Sequence, residues 1–161
     1  MPANEYEFFT EWRVAAPANL LYDILREGQQ YPRWWPDVYL AAQPEPSGRA
    51  DGIGDRVVLL TKGWLPYRLR WTAELVRLER PHLIELTGTG DFVGRGIWRL
   101  EAQGDVTRIT FDWRLRAEKP LLRWLSPLCK PLFEWNHRWA MSTGLNRLRA
   151  EAARRAPHAP K

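Results

Sequence analysis

Cysteine occurs once, as Cys129, so no disulfide can close within the chain and nothing argues for an oxidising compartment. Histidine occurs three times, at His82, His137 and His158. Together with Cys129 these show no metal-ligand spacing, so neither a metal nor a cofactor is expected. No apolar run is long enough for a membrane span, and no integral membrane segment is expected. The first residues, Met1-Pro2-Ala3-Asn4-Glu5-Tyr6-Glu7, lack the charged start and apolar stretch of a signal peptide, which makes a cytoplasmic protein the expectation. Ser126 and Ser142 have no nucleophile-elbow context. The glycines Gly88, Gly90 and Gly94 imitate a dinucleotide loop, but strand follows strand there and no helix offers its N-terminus to a pyrophosphate.

Charge of one sign is in modest excess: 24 basic against 19 acidic residues, a formal +5. Much of it sits late, at Arg147, Arg149, Arg154, Arg155 and Lys161, against Glu151. Cations at a helix C-terminus suit its dipole. No DNA- or RNA-reading motif accompanies them, so nucleic acid is not an expected partner.

What the chain has in excess is tryptophan, ten residues in 161. Each indole must bury a large ring and find a partner for its N–H. So many would overfill a tight core of this size. Several are therefore expected to line a cavity or a contact surface.

Tyr6, Phe8, Thr10, Trp12 and Val14 alternate with Glu7, Phe9, Glu11 and Arg13, the pattern of a strand with one apolar face. Ala16-Pro17 opens a helix in which Leu20, Leu21, Ile24 and Leu25 recur at helical spacing, with Gly28 at its end. A second short helix is predicted across Gln30 to Trp35. Six strands follow between Val38 and Leu115, the last two with charged residues on alternate positions. That makes an antiparallel sheet wet on its outer face. On this register Tyr67, Trp71, Trp98, Phe111 and Trp113 face inward as an aromatic wall, while Arg68 and Arg70 face solvent.

After Lys119 the pattern is helical. Pro120, Pro127 and Pro131 predict a short helix or turn first, then a long helix from about Leu128 or Pro131 to Arg155. Phe133, His137, Ala140, Met141, Gly144, Leu145, Leu148 and Ala152 form one stripe; Leu132, Trp135 and Trp139 lie on another side. The second side needs cover from the early helices, a loop or a second copy of the chain, which leaves a homodimer open. The fold class is α+β: a curved antiparallel sheet of about seven strands, in the order β-α-α-β6-α, wrapped around the long C-terminal helix.

This order resembles the START-like or Bet v 1-like (SRPBCC) superfamily, in its polyketide cyclase/dehydrase branch. The residues that carry the likeness are Val14-Ala15-Ala16-Pro17, Tyr31-Pro32-Arg33-Trp34-Trp35-Pro36, Gly94-Arg95-Gly96-Ile97-Trp98 with Thr107-Arg108-Ile109-Thr110, and Phe133 to Met141. They span about residues 5 to 155, so residues 1–156 read as a single helix-grip domain and 157–161 as a short basic tail. The resemblance implies a hydrophobic ligand cavity between sheet and terminal helix. Members include cyclases, lipid binders and quinone binders, and fold does not fix function.

Three functions follow. The first is binding of a small hydrophobic ligand (aromatic, polyketide-like or lipid-like), with Tyr67, Trp71, Trp98, Phe111, Trp113, Phe133 and Met141 as its walls. Trp34, Trp35 and Trp64 are expected at the cavity mouth. The second is a cyclase or dehydratase with His137 as acid/base, because histidine moves protons near neutral pH. Glu134, one helical turn earlier, could orient its imidazole. The third is a protein- or membrane-surface interaction module using Trp135, Trp139 and the basic helix end.

Overall fold

The computed structural model describes residues 5–64, 67–118 and 120–156, with the side chains of 120–129 excepted. The predicted tail 157–161, His158, the tip of the turn at 65–66 and the side chains of Cys129 and Ser126 lie outside the described residues.

The chain runs β1 (Glu5–Val14), α1 (Ala18–Arg26), a single 3₁₀ turn (Gly28–Gln30) and α2 (Tyr31–Trp34). Then come β2 (Tyr39–Glu45), β3 (Arg56–Lys62), β4 (Arg68–Glu79), β5 (Leu83–Gly90), β6 (Phe92–Gln103), β7 (Val106–Ala117) and α3 (Pro120–Arg155). The seven strands form one antiparallel sheet in the order β1-β7-β6-β5-β4-β3-β2, so each hairpin pairs with the next and β1 closes on β7. The α+β element order read from the residue patterns, and the helix-grip fold that the resemblance implied, are the ones found.

Register explains which side chains meet. Tyr6 lies opposite Leu115, Phe8 opposite Trp113 and Trp98 opposite Phe111. Residues two apart share a face, so these side chains lie on one face of the sheet, where Trp98 and Phe111 stack their rings. The main core gathers Trp12, Leu21, Ile24, Trp34, Trp35, Trp98, Ile109 and Leu148 beneath α1 and the C-terminal half of α3. A second cluster of Leu59, Trp71, Phe92 and Trp113 lines the centre of the sheet.

Helix α3 corrects the sequence reading at its start. It runs unbroken from Pro120, not from Leu128 or Pro131. Pro120 occupies the first helical position, where a missing N–H costs nothing. Pro127 and Pro131 each remove one internal hydrogen bond, and the bonds on either side carry the helix on. At α1 the correction is smaller: Pro17 is the N-cap rather than the first helical residue.

A buried carboxylate fastens α2 to α3. Glu151, its side chain 3% exposed, accepts two hydrogen bonds from Arg33, at 2.9 and 3.2 Å. Arg154 (2.7 Å) and Arg155 (3.3 Å) donate to it from its own helix. Burial would raise its pKa, but the bonds from Arg154, Arg33 and Arg155 outweigh burial and hold the carboxyl below its ordinary value of 4.5. Its contribution is therefore complete above about pH 4.5 and is lost as pH falls through the lower folded value. Glu151→Gln should cost about 1–3 kcal/mol at neutral pH, discounted because the arginines stay partly in water. Chemical denaturation should show the two proteins converging in acid; a constant gap would contradict the assignment.

Candidate functional site

Between the sheet and α3 lies a cavity of about 300 Å³. Alternation in β4 presents Trp71, Ala73 and Leu75 to it, and β6 and β7 contribute Trp98, Phe111, Trp113 and Leu115. The roof is the α3 stripe of Phe133, His137, Ala140 and Met141, which helical spacing places on one face. Tyr31, Trp35 and Tyr39 close one side.

The floor is a continuous aromatic surface. Trp98 stacks on Phe111 with centroids 4.1 Å apart, and Phe111 stacks on Trp113 at 5.6 Å. Trp71 leans on Trp113 at 5.7 Å and donates its indole N–H to Thr61 Oγ1 at 3.2 Å. The Thr61 hydroxyl in turn donates to the Leu69 carbonyl oxygen at 3.3 Å. The polar atoms of this stretch thus bond each other.

His137 is different. Its ring stacks on Phe8 with centroids 4.0 Å apart, and its buried Nε2 has no hydrogen-bond partner among the described residues. Burial pushes its pKa down to about 4, so it is neutral at physiological pH. Glu134 is exposed and no hydrogen bond joins the two. Burial, then the neighbouring Tyr6, pushes the Tyr67 hydroxyl up to about 12. Burial likewise raises Tyr39 and Tyr31, and the Tyr31 hydroxyl is held by the Leu25 carbonyl. Around its aromatic floor the cavity thus presents neutral phenols and a neutral imidazole.

The wall residues named from sequence (Tyr67, Trp71, Trp98, Phe111, Trp113, Phe133 and Met141) all border this space, as does His137. The three mouth tryptophans separate. Trp35 borders the cavity and donates its indole N–H to Thr143 Oγ1 at 3.3 Å. Trp34 is buried against Trp35 with centroids 5.5 Å apart and is not part of the lining; its Nε1 has no partner among the described residues. Trp64 is 59% exposed at the β3–β4 turn and meets Trp135, 40% exposed, edge to face at 4.8 Å. The Trp64 backbone N–H donates to Asn136 Oδ1 at 2.6 Å, which ties the turn to α3 beside the cavity. Trp139 is half-buried and packs on the main core. Sequence reasoning missed Tyr31, Tyr39 and Asn136 as cavity residues. Tyr31 and Tyr39 flank a short helix without a periodic signal, and Asn136 is brought in by a contact 72 residues distant in sequence.

Among the described residues no group of three or more His, Cys, Asp or Glu could hold a metal ion. No helix among them is long and apolar enough to cross a membrane.

The family described as polyketide cyclase / dehydrase and lipid transport matches residues 7–153, nearly the whole fold. The chain belongs to that family. Solved structures similar to this family member share its fold at low identity. The Zhui aromatase/cyclase of a Streptomyces species is 17% identical, with a TM-score of 0.71 over 94% of this chain and 96% of that one. A START superfamily protein from Mycobacterium smegmatis is 15% identical, with a TM-score of 0.74 over 92% and 97%. Norcoclaurine synthase from Thalictrum flavum is 15% identical, with a TM-score of 0.62 over 98% and 90%. Searching curated proteins gives no match. At these identities the structures establish that the family member has the START-like fold.

Proposed function

We propose that this protein binds a small, flat, largely apolar molecule in the cavity between sheet and α3. The observation that carries the reading is the buried Nε2 of His137, without a hydrogen-bond partner among the described residues, on the aromatic part of the wall of a cavity of about 300 Å³. A buried polar atom left unpaired costs about 1–3 kcal/mol, which a guest with one hydrogen-bonding group would recover. The volume is at the low end of the roughly 300–1,000 Å³ of small-molecule pockets. Walls of stacked indole and phenyl rings favour an aromatic body. Norcoclaurine synthase, of the same fold, was solved with dopamine and hydroxybenzaldehyde, which agrees with a small aromatic guest.

The enzymatic reading draws support from the family's description and from the aromatase/cyclase among the similar structures. Its chemistry needs a base that can take a proton from carbon and a partner that orients it. An imidazole with a pKa near 4 and no hydrogen-bonded orienter is a weak base for that task. Carriage therefore fits the polar equipment better than cyclisation.

Burying about 200 Å² of a two-ring aromatic yields about 5 kcal/mol before the costs of association. The test is titration with naphthol, a neutral aromatic with one hydroxyl, followed by quenching of indole fluorescence. Saturable one-to-one binding is expected; quenching that stays linear up to the solubility limit would overturn the reading.

A further inference from the structure

The cavity has an end that the aromatic wall does not describe. Arg26, Gln29, Asp55 and Arg56 border it there, between the end of α1 and the start of β3. Two of the charged groups are already committed. Arg56 is bridged to Glu74, and Asp55 Oδ1 accepts the Ser47 backbone N–H at 2.8 Å and the Ser47 hydroxyl at 2.9 Å. Arg26 is not: among the described residues it makes no ion pair and no hydrogen bond, although most arginines of this chain have a carboxylate partner. It is half-buried, so its charge is not simply left in bulk water.

The loop before β3 passes against this side chain. Gly52 is buried with φ +79, and one Arg26 guanidinium nitrogen lies 1.9 Å from where a Cβ on Gly52 would sit. The positive φ demands glycine there, whereas the guanidinium, the end of a flexible side chain, could move aside. Asp55 Oδ2 lies 3.4 Å from the same point, so a carboxylate stands near Arg26 without forming an ion pair with it. A cation at the end of a helix is ordinarily explained by the helix dipole, and Arg26 is in the last turn of α1. The dipole does not account for a loop folded over the guanidinium, or for its place on the cavity wall.

We infer that Arg26 is an anion anchor at the cavity mouth, so that the ligand is an amphiphile whose apolar body lies on the aromatic floor and whose carboxylate or comparable oxyanion meets the guanidinium. This rests on the cavity being a binding site. A planar guanidinium suits a carboxylate because it can donate two parallel hydrogen bonds. Lys62, which also makes no ion pair among the described residues, is exposed on the lining at the opposite end of β3, so it serves as the control.

The experiment compares naphthoate with neutral naphthamide on the wild-type protein and on Arg26→Met, Arg26→Gln and Lys62→Met. Wild type and Lys62→Met should bind naphthoate about ten- to a hundredfold more tightly than naphthamide, the worth of a charge-assisted pair. Both Arg26 variants should bind the two ligands equally, with naphthamide affinity unchanged within about twofold. Two conservative replacements guard against one of them failing to fold. A naphthoate preference that survives in both Arg26 variants, or that disappears in Lys62→Met, overturns the anchor. If wild type discriminates against neither ligand but binds both, the anchor alone fails. If it binds neither, the cavity reading fails with it.

Discussion

Gly144→Val should destabilise the protein by about 3 kcal/mol, a fall of roughly 10 °C in Tm for a chain of this length. On an exposed helix the same position would gain from losing a glycine, by up to about 1 kcal/mol with alanine. Here the indole of Trp35 lies on the bare helix backbone. A Cβ on Gly144 would come 2.4 Å from Trp35 Cζ2 and 2.7 Å from Cε2 and Cη2. The indole is held by its neighbours on the sides away from the cavity. It is packed against Tyr39 (5.1 Å), Trp34 (5.5 Å), Tyr31 (6.1 Å) and Trp12 (6.2 Å). Its N–H is also bonded to Thr143, the neighbour of Gly144. Trp35→Ala alone should cost about 3–5 kcal/mol as a cavity. In the double variant the new valine has room, so the two losses should sum to more than the double variant shows. Additive losses in a double-mutant cycle would mean that the contact is not what makes glycine necessary.

Replacing His137 by phenylalanine should change how stability depends on pH. The native imidazole has a pKa near 4 because it is buried, against an ordinary value of 6.5. A depressed folded pKa means that the unfolded chain binds the proton more readily between those two values. Wild-type stability should therefore be unaffected by this group above about pH 6.5 and should fall as pH drops toward 4. The loss reaches about 3 kcal/mol, at 1.36 kcal/mol per pKa unit. His137→Phe, which keeps a flat ring against Phe8, lacks this loss. The acid response of Glu151 and Asp37 is common to both proteins and cancels in the difference. Urea denaturation across this pH range should show the variant gaining on wild type by about that amount; parallel curves would mean that the imidazole is not buried as neutral base.

The strands were legible because their chemistry alternates. In β7 the run Thr107, Ile109, Phe111, Trp113, Leu115 against Arg108, Thr110, Asp112, Arg114 leaves one register only, since a slip would bury charge. The α3 stripe was legible for the same reason at helical period, and with it the place of His137 over the sheet. The beginning of α3 was not. Three prolines argue locally for interruption, whereas Pro120 opens the helix without loss and Pro127 and Pro131 cost a hydrogen bond apiece, which a 36-residue helix docked on a sheet absorbs. Pairings distant in sequence were also hidden. Arg33 and Glu151 stand 118 residues apart, and nothing local marks a carboxylate near the end of a basic helix as buried. The orientation of Trp34 and Trp35 could not be separated, because adjacent residues at the end of a four-residue helix have no periodicity to sort them. Nothing in the sequence distinguishes Arg26 from the other polar residues of α1. Only the fold of the loop at Gly52, and the absence of a carboxylate partner, single it out.

The central claim is that a hollow beneath α3 takes a guest, and a cavity-filling variant tests it directly. Ala73 borders the cavity from the middle of β4, paired with Val57 on one side and Gly88 on the other. A phenylalanine there would project its ring into the space a ligand needs. Naphthol affinity should fall at least about tenfold in Ala73→Phe while circular dichroism and cooperative unfolding persist, since the ring enters empty volume and not packed core. Equal naphthol binding by a folded Ala73→Phe would contradict the account, because the ligand would then be bound elsewhere on the protein.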